Sequence, residues 1–228
     1  MPGPVISGYA RPVQQPIDTK APLVLAFPTA LADDVRAVLA IMPRSRLEPA
    51  GMFSVAVRGE QVAIPSRLYN DEPPAGAVAS LSPRQGTVLH CLYTRHHDGM
   101  VRQRHLEAIV GAPEPWIVPF VVQLAGEYVL EILVVVRDGL RDLDTPDTGH
   151  HLAYGQFLVD NPALFARTQR RVVSYWNCYH RLSYSSFQGY PGCVVLDLLR
   201  FAASARAGQR WAALTPAGGG GGRLDGYC

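Results

Sequence analysis

Lysine is almost absent from this chain of 228 residues, because Lys20 is the only one and the other basic residues, of 21 in all, are arginines. Together with abundant Ala, Gly and Pro, this bias indicates a GC-rich genome. The alternative is a functional use of arginine, whose planar guanidinium forms paired hydrogen bonds to phosphate and carboxylate groups. The net charge of +2 is too small to indicate nucleic-acid binding by itself, although residues 150–228 are the basic part of the chain.

Motifs that define common enzymes and exported proteins are also missing. The four cysteines (Cys91, Cys178, Cys193 and Cys228) have no C-x-x-C spacing, and the N-terminus lacks the basic segment and apolar run of a secretory signal. We therefore expect reduced thiols and a cytoplasmic location. The sequence contains no G-x-S-x-G or H-E-x-x-H, and no glycine-rich phosphate loop follows a predicted strand. These absences favour a protein without a cofactor and without catalytic activity.

One stretch, residues 116–136, is long and apolar enough to be considered as a membrane span. However, Gln123, Glu127 and Glu131 interrupt it, and each carboxylate near a bilayer centre would cost about 2.5–3.5 kcal/mol. Their spacing of four residues aligns them in one stripe of a helix. The stretch therefore predicts a helix buried within the protein, bent near Pro119, and no membrane association.

The N-terminal third predicts a loose segment followed by a small mixed region. Residues 1–21, rich in Pro and Gly, have no periodic apolar pattern and predict a flexible arm. Residues 22–70 predict a region packed on the helices, with a short strand at 23–27, a helix that Pro43 ends, and a β-hairpin over 53–64.

The remainder of the chain predicts a helical core over residues 80–205 and a loose Gly-rich tail over 206–228. The expected helices cover 82–95, 100–110, 116–139, 151–159, 161–181 and 191–205. The fold class is therefore mainly α, with five or six helices in antiparallel pairs and a small N-terminal β-hairpin region. Either a compact bundle or a short stack of helix pairs satisfies this pattern.

The densest group of polar residues spans the break between the predicted helices over 82–95 and 100–110 and the first turns of the second helix. We call residues 96–105 the polar turn. In it, His97 with Asp98, or His97 with His105, could provide metal ligands or an acid–base pair. Because no metal-ligand spacing is present, we favour the simpler interpretation, in which Asp98 caps a helix in a turn between helices.

Glu127 and Glu131 fall in the apolar helix, where an unpaired carboxylate would be costly. We predict that both face inward and form ion pairs with Arg102, Arg167 or Arg171. The alternative is a metal-binding protein or an enzyme in which these two glutamates join the polar turn.

The predicted helix over 161–181 carries Arg167, Arg170, Arg171 and Arg181 beside several aromatic residues. Basic and aromatic side chains together are typical of surfaces that bind nucleic acid. Since the aromatic residues have core spacing, we predict that Trp176 is a core anchor and not a base-stacking residue.

No motif in the sequence determines a chemistry. We expect a non-catalytic helical module that binds another macromolecule, with a protein as the favoured partner. The alternatives are the metal or catalytic site at the polar turn and nucleic-acid binding through the helix with the four arginines. The sequence leaves the oligomeric state open.

Overall fold

A computed structural model describes residues 20–213, which form a mainly helical structure with one two-stranded antiparallel sheet, as the sequence predicts. The α-helices of this part of the chain are α1 (Ala32–Ile41), α2 (Ala75–Val78), α3 (Pro83–Tyr93), α4 (Gly99–Glu107), α5 (Val118–Leu124), α6 (Leu130–Gly139), α7 (Gly149–Asp160), α8 (Pro162–Tyr175) and α9 (Pro191–Ala207). Eight of them follow the hairpin, more than the five or six expected, because one predicted helix is divided and α2 lies in a predicted connection. Residues 1–19 of the predicted arm and most of the predicted tail lie outside the described residues.

Two side-chain caps place the helices on either side of the polar turn. Ser82 accepts a hydrogen bond from the backbone N–H of Gln85 (3.3 Å), and the Gln85 side chain accepts one from the N–H of Ser82 (3.0 Å). This capping box, followed by Pro83, begins α3. Asp98 caps α4 by accepting from the N–H of Met100 at 2.8 Å, so the turn ends where the sequence indicates.

The β-hairpin consists of β1 (Ala50–Val57) and β2 (Glu60–Arg67). Arg58 and Gly59 both have positive φ angles, 49° and 85°, which is the backbone of the tight turn that matches the natural twist of paired strands. Apolar side chains on one face, such as Phe53, are buried in the core. The predicted hairpin is therefore confirmed, with strands longer than expected.

The residue after β2 attaches the hairpin to the polar turn. Leu68 donates its N–H to the carbonyl of Arg95 (2.7 Å) and accepts from the N–H of His97 (2.8 Å). This forms a single parallel bridge between Leu68 and His96. Arg67, the last residue of β2, is thereby positioned close to the start of the polar turn.

The predicted strand at 23–27 is wrong, because Ala21–Ala26 forms a 3₁₀ helix. Pro22 lies in its first turn, where a fixed φ angle suits a helix start. Leu23 and Ala26 are both fully buried and lie three residues apart, which is the period of a 3₁₀ helix.

The single helix predicted over 116–139 is also wrong, because the chain leaves the helical path between α5 and α6. Glu127 lies in this break and is buried, whereas Glu131 lies in the first turn of α6 and is exposed. Pro119 lies in the first turn of α5, so it starts a helix instead of bending one. No helix of the described chain, 20–213, is both long and apolar enough to cross a membrane.

The core is shared by the hairpin and nearly all helices, and its closest helix packing is between α7 and α9. A Cβ atom at Gly155 would lie 2.7 Å from the carbonyl oxygen of Ala202, closer than real Cβ contacts allow. Glycine at this position therefore allows the two helix backbones to approach. The antiparallel pairing of the helices as a bundle or a stack stays a prediction.

α8 continues into a π-helical turn, Trp176–His180, so the helix predicted over 161–181 is present in two parts. At the start of α8, the Asn161 side chain accepts from the N–H of Ala56 (2.8 Å) and donates to its carbonyl (2.9 Å). This pair of bonds connects α8 to β1 and places the helix beside the hairpin.

Candidate functional site

Five charged residues from separate parts of the chain meet near the end of the hairpin. Arg67 ends β2, Arg95 follows α3, Arg102 lies in α4 and Arg171 lies in α8, while Glu127 lies in the break between α5 and α6. We call these five residues the arginine cluster. They come together because the bridge after β2 brings the hairpin to the polar turn and the helix break turns the glutamate inward.

The charge of Glu127 favours the ionised form of Arg95, and the Glu127 side chain is 2% exposed. Its Oε1 lies 3.2 Å from Nη1 of Arg67, and its Oε2 lies 3.5 Å from Nη2 of the same arginine. Nη2 of Arg102 donates to Oε2 at 3.3 Å. The inward orientation of Glu127 and its pairing with arginine are therefore confirmed, and Arg102 is one of the predicted partners.

Arg95 and Arg102 also bind backbone carbonyl groups. Arg95 donates from Nε and Nη2 to the carbonyls of residues 65 and 66, at 3.3 and 3.0 Å. Arg102 donates from Nη1 to the carbonyls of residues 96 and 97, each at 2.9 Å. Within the described part of the chain, Nη1 of Arg95 and Nε of Arg102 are buried without a hydrogen-bond partner, a state that is costly for charged donors.

The surroundings disfavour the positive charge of the two buried arginines. Burial, together with the charges of Arg67, Arg102 and Arg171, lowers the pKa of Arg95 to about 9, against the attraction of Glu127. Burial also lowers the pKa of Arg102, with Glu127 again opposing the shift. Glu127 contacts two of the four guanidinium groups, and the charge of Asp98 also acts on Arg102, so the cluster has more positive than negative charge.

The arginine cluster has one side that faces solvent. The Arg67 side chain is 28% exposed and Arg171 is half-buried, whereas Arg102 is 2% exposed. A guanidinium group binds phosphate and carboxylate oxygens through two parallel N–H donors. The chemistry that this arrangement supports is therefore the binding of an anion at the side of Arg67 and Arg171.

The polar turn does not gather its predicted residues into one site. His97 is exposed and stacks on the ring of Tyr69 at 5.5 Å between centroids, while Asp98 serves as the helix cap. His105 is buried and contacts residues outside the turn. Glu131 is exposed on α6 and forms no ion pair with an arginine of residues 20–213, so the prediction that it faces inward is wrong.

His105 instead forms a hydrogen-bonded chain with Glu72 and His90, two residues that we did not predict. Nε2 of His105 lies 2.8 Å from Oε1 of Glu72, and Nδ1 of His105 lies 2.8 Å from Nδ1 of His90. A carboxylate only accepts, so His105 donates from Nε2 and, when neutral, accepts from His90 at Nδ1. Arg104 also binds Glu72, and Tyr93 stacks on His105 with 5.0 Å between centroids.

Glu72, His90 and His105 all have shifted pKa values. Burial lowers the pKa of His90 and of His105, although the charge of Glu72 opposes both shifts. Partial burial opposes ionisation of Glu72, but hydrogen bonds from Arg104 and His105 lower its pKa overall. At neutral pH, the folded protein therefore keeps the glutamate ionised and both histidines neutral.

We expect the protein to lose stability as the pH falls from about 7 through 6. The unfolded chain protonates its histidines near the ordinary pKa of 6.5, above the lowered values of folded His90 and His105, so acid favours unfolding. Urea midpoints at pH 7.5 and 5.5 measure this loss. It should be smaller in His90→Gln, while the exposed His97→Gln serves as a control with the wild-type loss. Equal losses in all three proteins would contradict the assignment.

Of the four arginines predicted to bind nucleic acid, Arg171 alone contributes to the arginine cluster. Arg167 lies over a phenylalanine ring of β1, with Cζ 5.8 Å from the ring centroid, and Arg170 is exposed. Arg181 lies over the ring of Trp176, also at 5.8 Å. Nucleic-acid binding through these four arginines stays a prediction.

The remaining histidines and cysteines have local partners or lie in the core. Nδ1 of His150 lies 2.7 Å from a carboxylate oxygen of Asp142, and Nδ1 of His151 bonds the carbonyl of Leu143 at 2.8 Å. Cys91, Cys178 and Cys193 are free thiols, and Cys228 lies outside the described residues. Within residues 20–213, no three His, Cys, Asp or Glu side chains are placed to hold a metal ion.

Sequence reasoning missed Arg67 and Arg95 because their partner Glu127 lies 60 residues from Arg67 along the chain. The signal available for Arg95 was its position directly before the polar turn. Nothing in the sequence marked Arg67, which occupies an ordinary strand position. No family model, no curated protein and no solved structure matches the chain.

Proposed function

We propose that this protein is a non-catalytic binding module and that its arginine cluster holds an anionic group of the ligand. The observation that carries the proposal is the excess of guanidinium groups around Glu127, in which Nη1 of Arg95 and Nε of Arg102 are buried and have no hydrogen-bond partner among residues 20–213. A bound anion would supply acceptors and negative charge where both are in deficit.

The contacts already present account for only part of the cluster. The carbonyls of residues 65–66 and 96–97 and the carboxylate of Glu127 occupy some of the donors and connect the hairpin to the polar turn. Arg67 and Arg171 form the side open to solvent. Phosphate, sulfate and carboxylate groups match the geometry of guanidinium donors, so the ligand class is an oxyanion.

The state of Glu127 supports binding over catalysis at this site. Both of its carboxylate oxygens contact guanidinium groups, so it is not free to accept a proton from a substrate. The cluster otherwise consists of guanidinium groups, which neutralise and orient negative charge. The macromolecular partner expected from the sequence, a protein or a nucleic acid, would be recognised here through its phosphate or carboxylate groups.

The proposal predicts that oxyanions stabilise the protein by binding to the folded state. Phosphate or sulfate at 100 times its Kd should raise the free energy of unfolding by about 2.7 kcal/mol. Melting temperatures in phosphate, sulfate and chloride at one ionic strength measure this effect, and titration calorimetry provides the Kd. Arg171→Gln should weaken binding at least tenfold because it removes a donor on the open side.

The matched control is Arg170→Gln, which removes a neighbouring arginine that is exposed on the same helix and outside the cluster. It should keep the wild-type response to phosphate. Equal responses of the two variants, or stabilisation by phosphate no greater than by chloride, would overturn the proposal.

A further inference from the structure

We infer that the anion is the phosphate of a nucleotide whose base stacks on three tyrosines beside the arginine cluster. The inference rests on the proposed function and adds the chemical class of the ligand. The three residues, Tyr128, Tyr175 and Tyr179, come from the break between α5 and α6, the end of α8 and the π-helical turn. We call them the tyrosine triad.

The rings of the tyrosine triad contact one another at interplanar angles of 41° to 69°, so a base can stack on one ring and contact the edges of the others. The ring centroids of Tyr128 and Tyr175 are 5.9 Å apart, and each of them lies 6.0 Å from that of Tyr179. Tyr128 is 50% exposed and Tyr179 is 65% exposed. Large exposed aromatic residues in contact with one another are typical of surfaces that stack with planar ligands.

Arg171 connects the triad to the arginine cluster. Its guanidinium carbon lies 5.8 Å from the ring centroid of Tyr175, and its Nη2 lies 3.5 Å from the Tyr175 hydroxyl. On the other side, its Cδ lies beside Gly126, the residue before Glu127, since a Cβ atom at Gly126 would be 3.7 Å from it, and its charge acts on Arg95. Tyr128 directly follows Glu127 in the chain. The phosphate site and the aromatic surface are therefore adjacent and share one arginine.

The backbone around the triad is held by an additional contact. His180 donates from Nε2 to the carbonyl of Tyr128 at 2.8 Å, and its ring stacks on Tyr190 with 5.2 Å between centroids. The π-helical turn Trp176–His180 carries Tyr179, and such turns are frequent at functional sites. These features fix the positions of two triad residues before a ligand binds, which lowers the entropic cost of binding.

A nucleotide matches both parts of this surface, because it joins a phosphate to a flat aromatic base. Stacking of a base on an aromatic side chain tolerates any base, since every base has a π-face. The ligand is therefore a nucleoside phosphate, which could be a free nucleotide or part of a single strand.

The test compares ligands that contain one or both chemical groups. Titration calorimetry on the full chain would measure Kd for inorganic phosphate, ribose 5-phosphate, AMP and a short single-stranded oligonucleotide. We expect AMP to bind at least about fivefold more tightly than ribose 5-phosphate, the lower limit for stacking of one base. An oligonucleotide that binds more tightly still would identify a strand as the source, and one that binds no better would identify the free nucleotide.

The variant for this test is Tyr179→Ala, which removes the most exposed ring of the triad. It should abolish the preference for AMP and leave the Kd for ribose 5-phosphate unchanged. Phe201→Ala, a change of an exposed aromatic residue on α9, is the control and should preserve the preference.

Two results would overturn the inference. Equal binding of AMP and ribose 5-phosphate would leave the anion site standing but remove the base from the ligand. Tighter binding of phosphotyrosine than of AMP would assign the surface to a phosphorylated protein. If none of the phosphate compounds binds, the proposed function itself fails, so the two failures are distinguishable.

Discussion

Replacing Glu127 by glutamine is expected to lower the free energy of unfolding by about 3–5 kcal/mol, the range for removing one partner of a buried ion pair. The amide has nearly the shape of the carboxylate but no charge, so Arg67 and Arg102 lose their counter-ion without a large change in packing. The other two arginines of the cluster then add repulsion that nothing offsets. Unfolding in urea at neutral pH measures the change.

Glu131→Gln is the matched control, because this glutamate is exposed and lies four residues further along the chain. It should change stability by less than about 0.5 kcal/mol. Phosphate should restore more stability to Glu127→Gln than to the wild type, since an anion can replace the missing charge. A loss below about 1 kcal/mol in Glu127→Gln would show that the carboxylate does not hold the cluster together.

Truncating Trp176 to alanine is expected to cost about 3 kcal/mol, the lower end of the range for large aromatic residues. The sequence predicts a core anchor, and the structure places Trp176 half-buried against the core. Its ring packs on Phe187 with 5.3 Å between centroids, and its Nε1 donates to the carbonyl of Tyr184 at 3.0 Å. The truncation removes both contacts and exposes apolar surface of the core.

The same variant separates the core role from a stacking role. Trp176 lies in the π-helical turn with Tyr179, but its ring contacts Phe187 and Arg181 and not the tyrosine triad. Trp176→Ala should therefore bind AMP with the wild-type Kd at a temperature where both proteins are folded. Unchanged stability together with lost affinity for AMP would reverse the two assignments.

The excess of arginine over lysine has a consequence at this site, whatever its genomic origin. Arg95 donates to two carbonyls of β2, and Arg102 donates both to the carbonyl of His96 and to the carboxylate of Glu127. A lysine ammonium group is compact and strongly hydrated and cannot span such separated acceptors. Substitution of either residue by lysine would leave acceptors unpaired even though the charge is kept.

The sequence by itself determined the elements that depend on neighbouring residues. The helix start at Ser82, the cap at Asp98 and the hairpin strands involve contacts within a few residues, and the structure confirms each of them. Local patterns failed where distant groups competed with them. Residues 116–139 have the periodicity of one helix, but Glu127 leaves the helical path and pairs with Arg67 and Arg102, an outcome that no local pattern shows.

Tertiary structure alone decided which polar residues share a site. Glu127 and Glu131 look equivalent in the sequence, yet one is buried among arginines and the other is exposed, because the chain turns between them. His105 forms a hydrogen bond with Glu72, 33 residues away, and not with its neighbours in the polar turn. Charge and hydrogen bonding act through space, so the partners of a buried polar group depend on how the elements pack, which composition and periodicity do not encode.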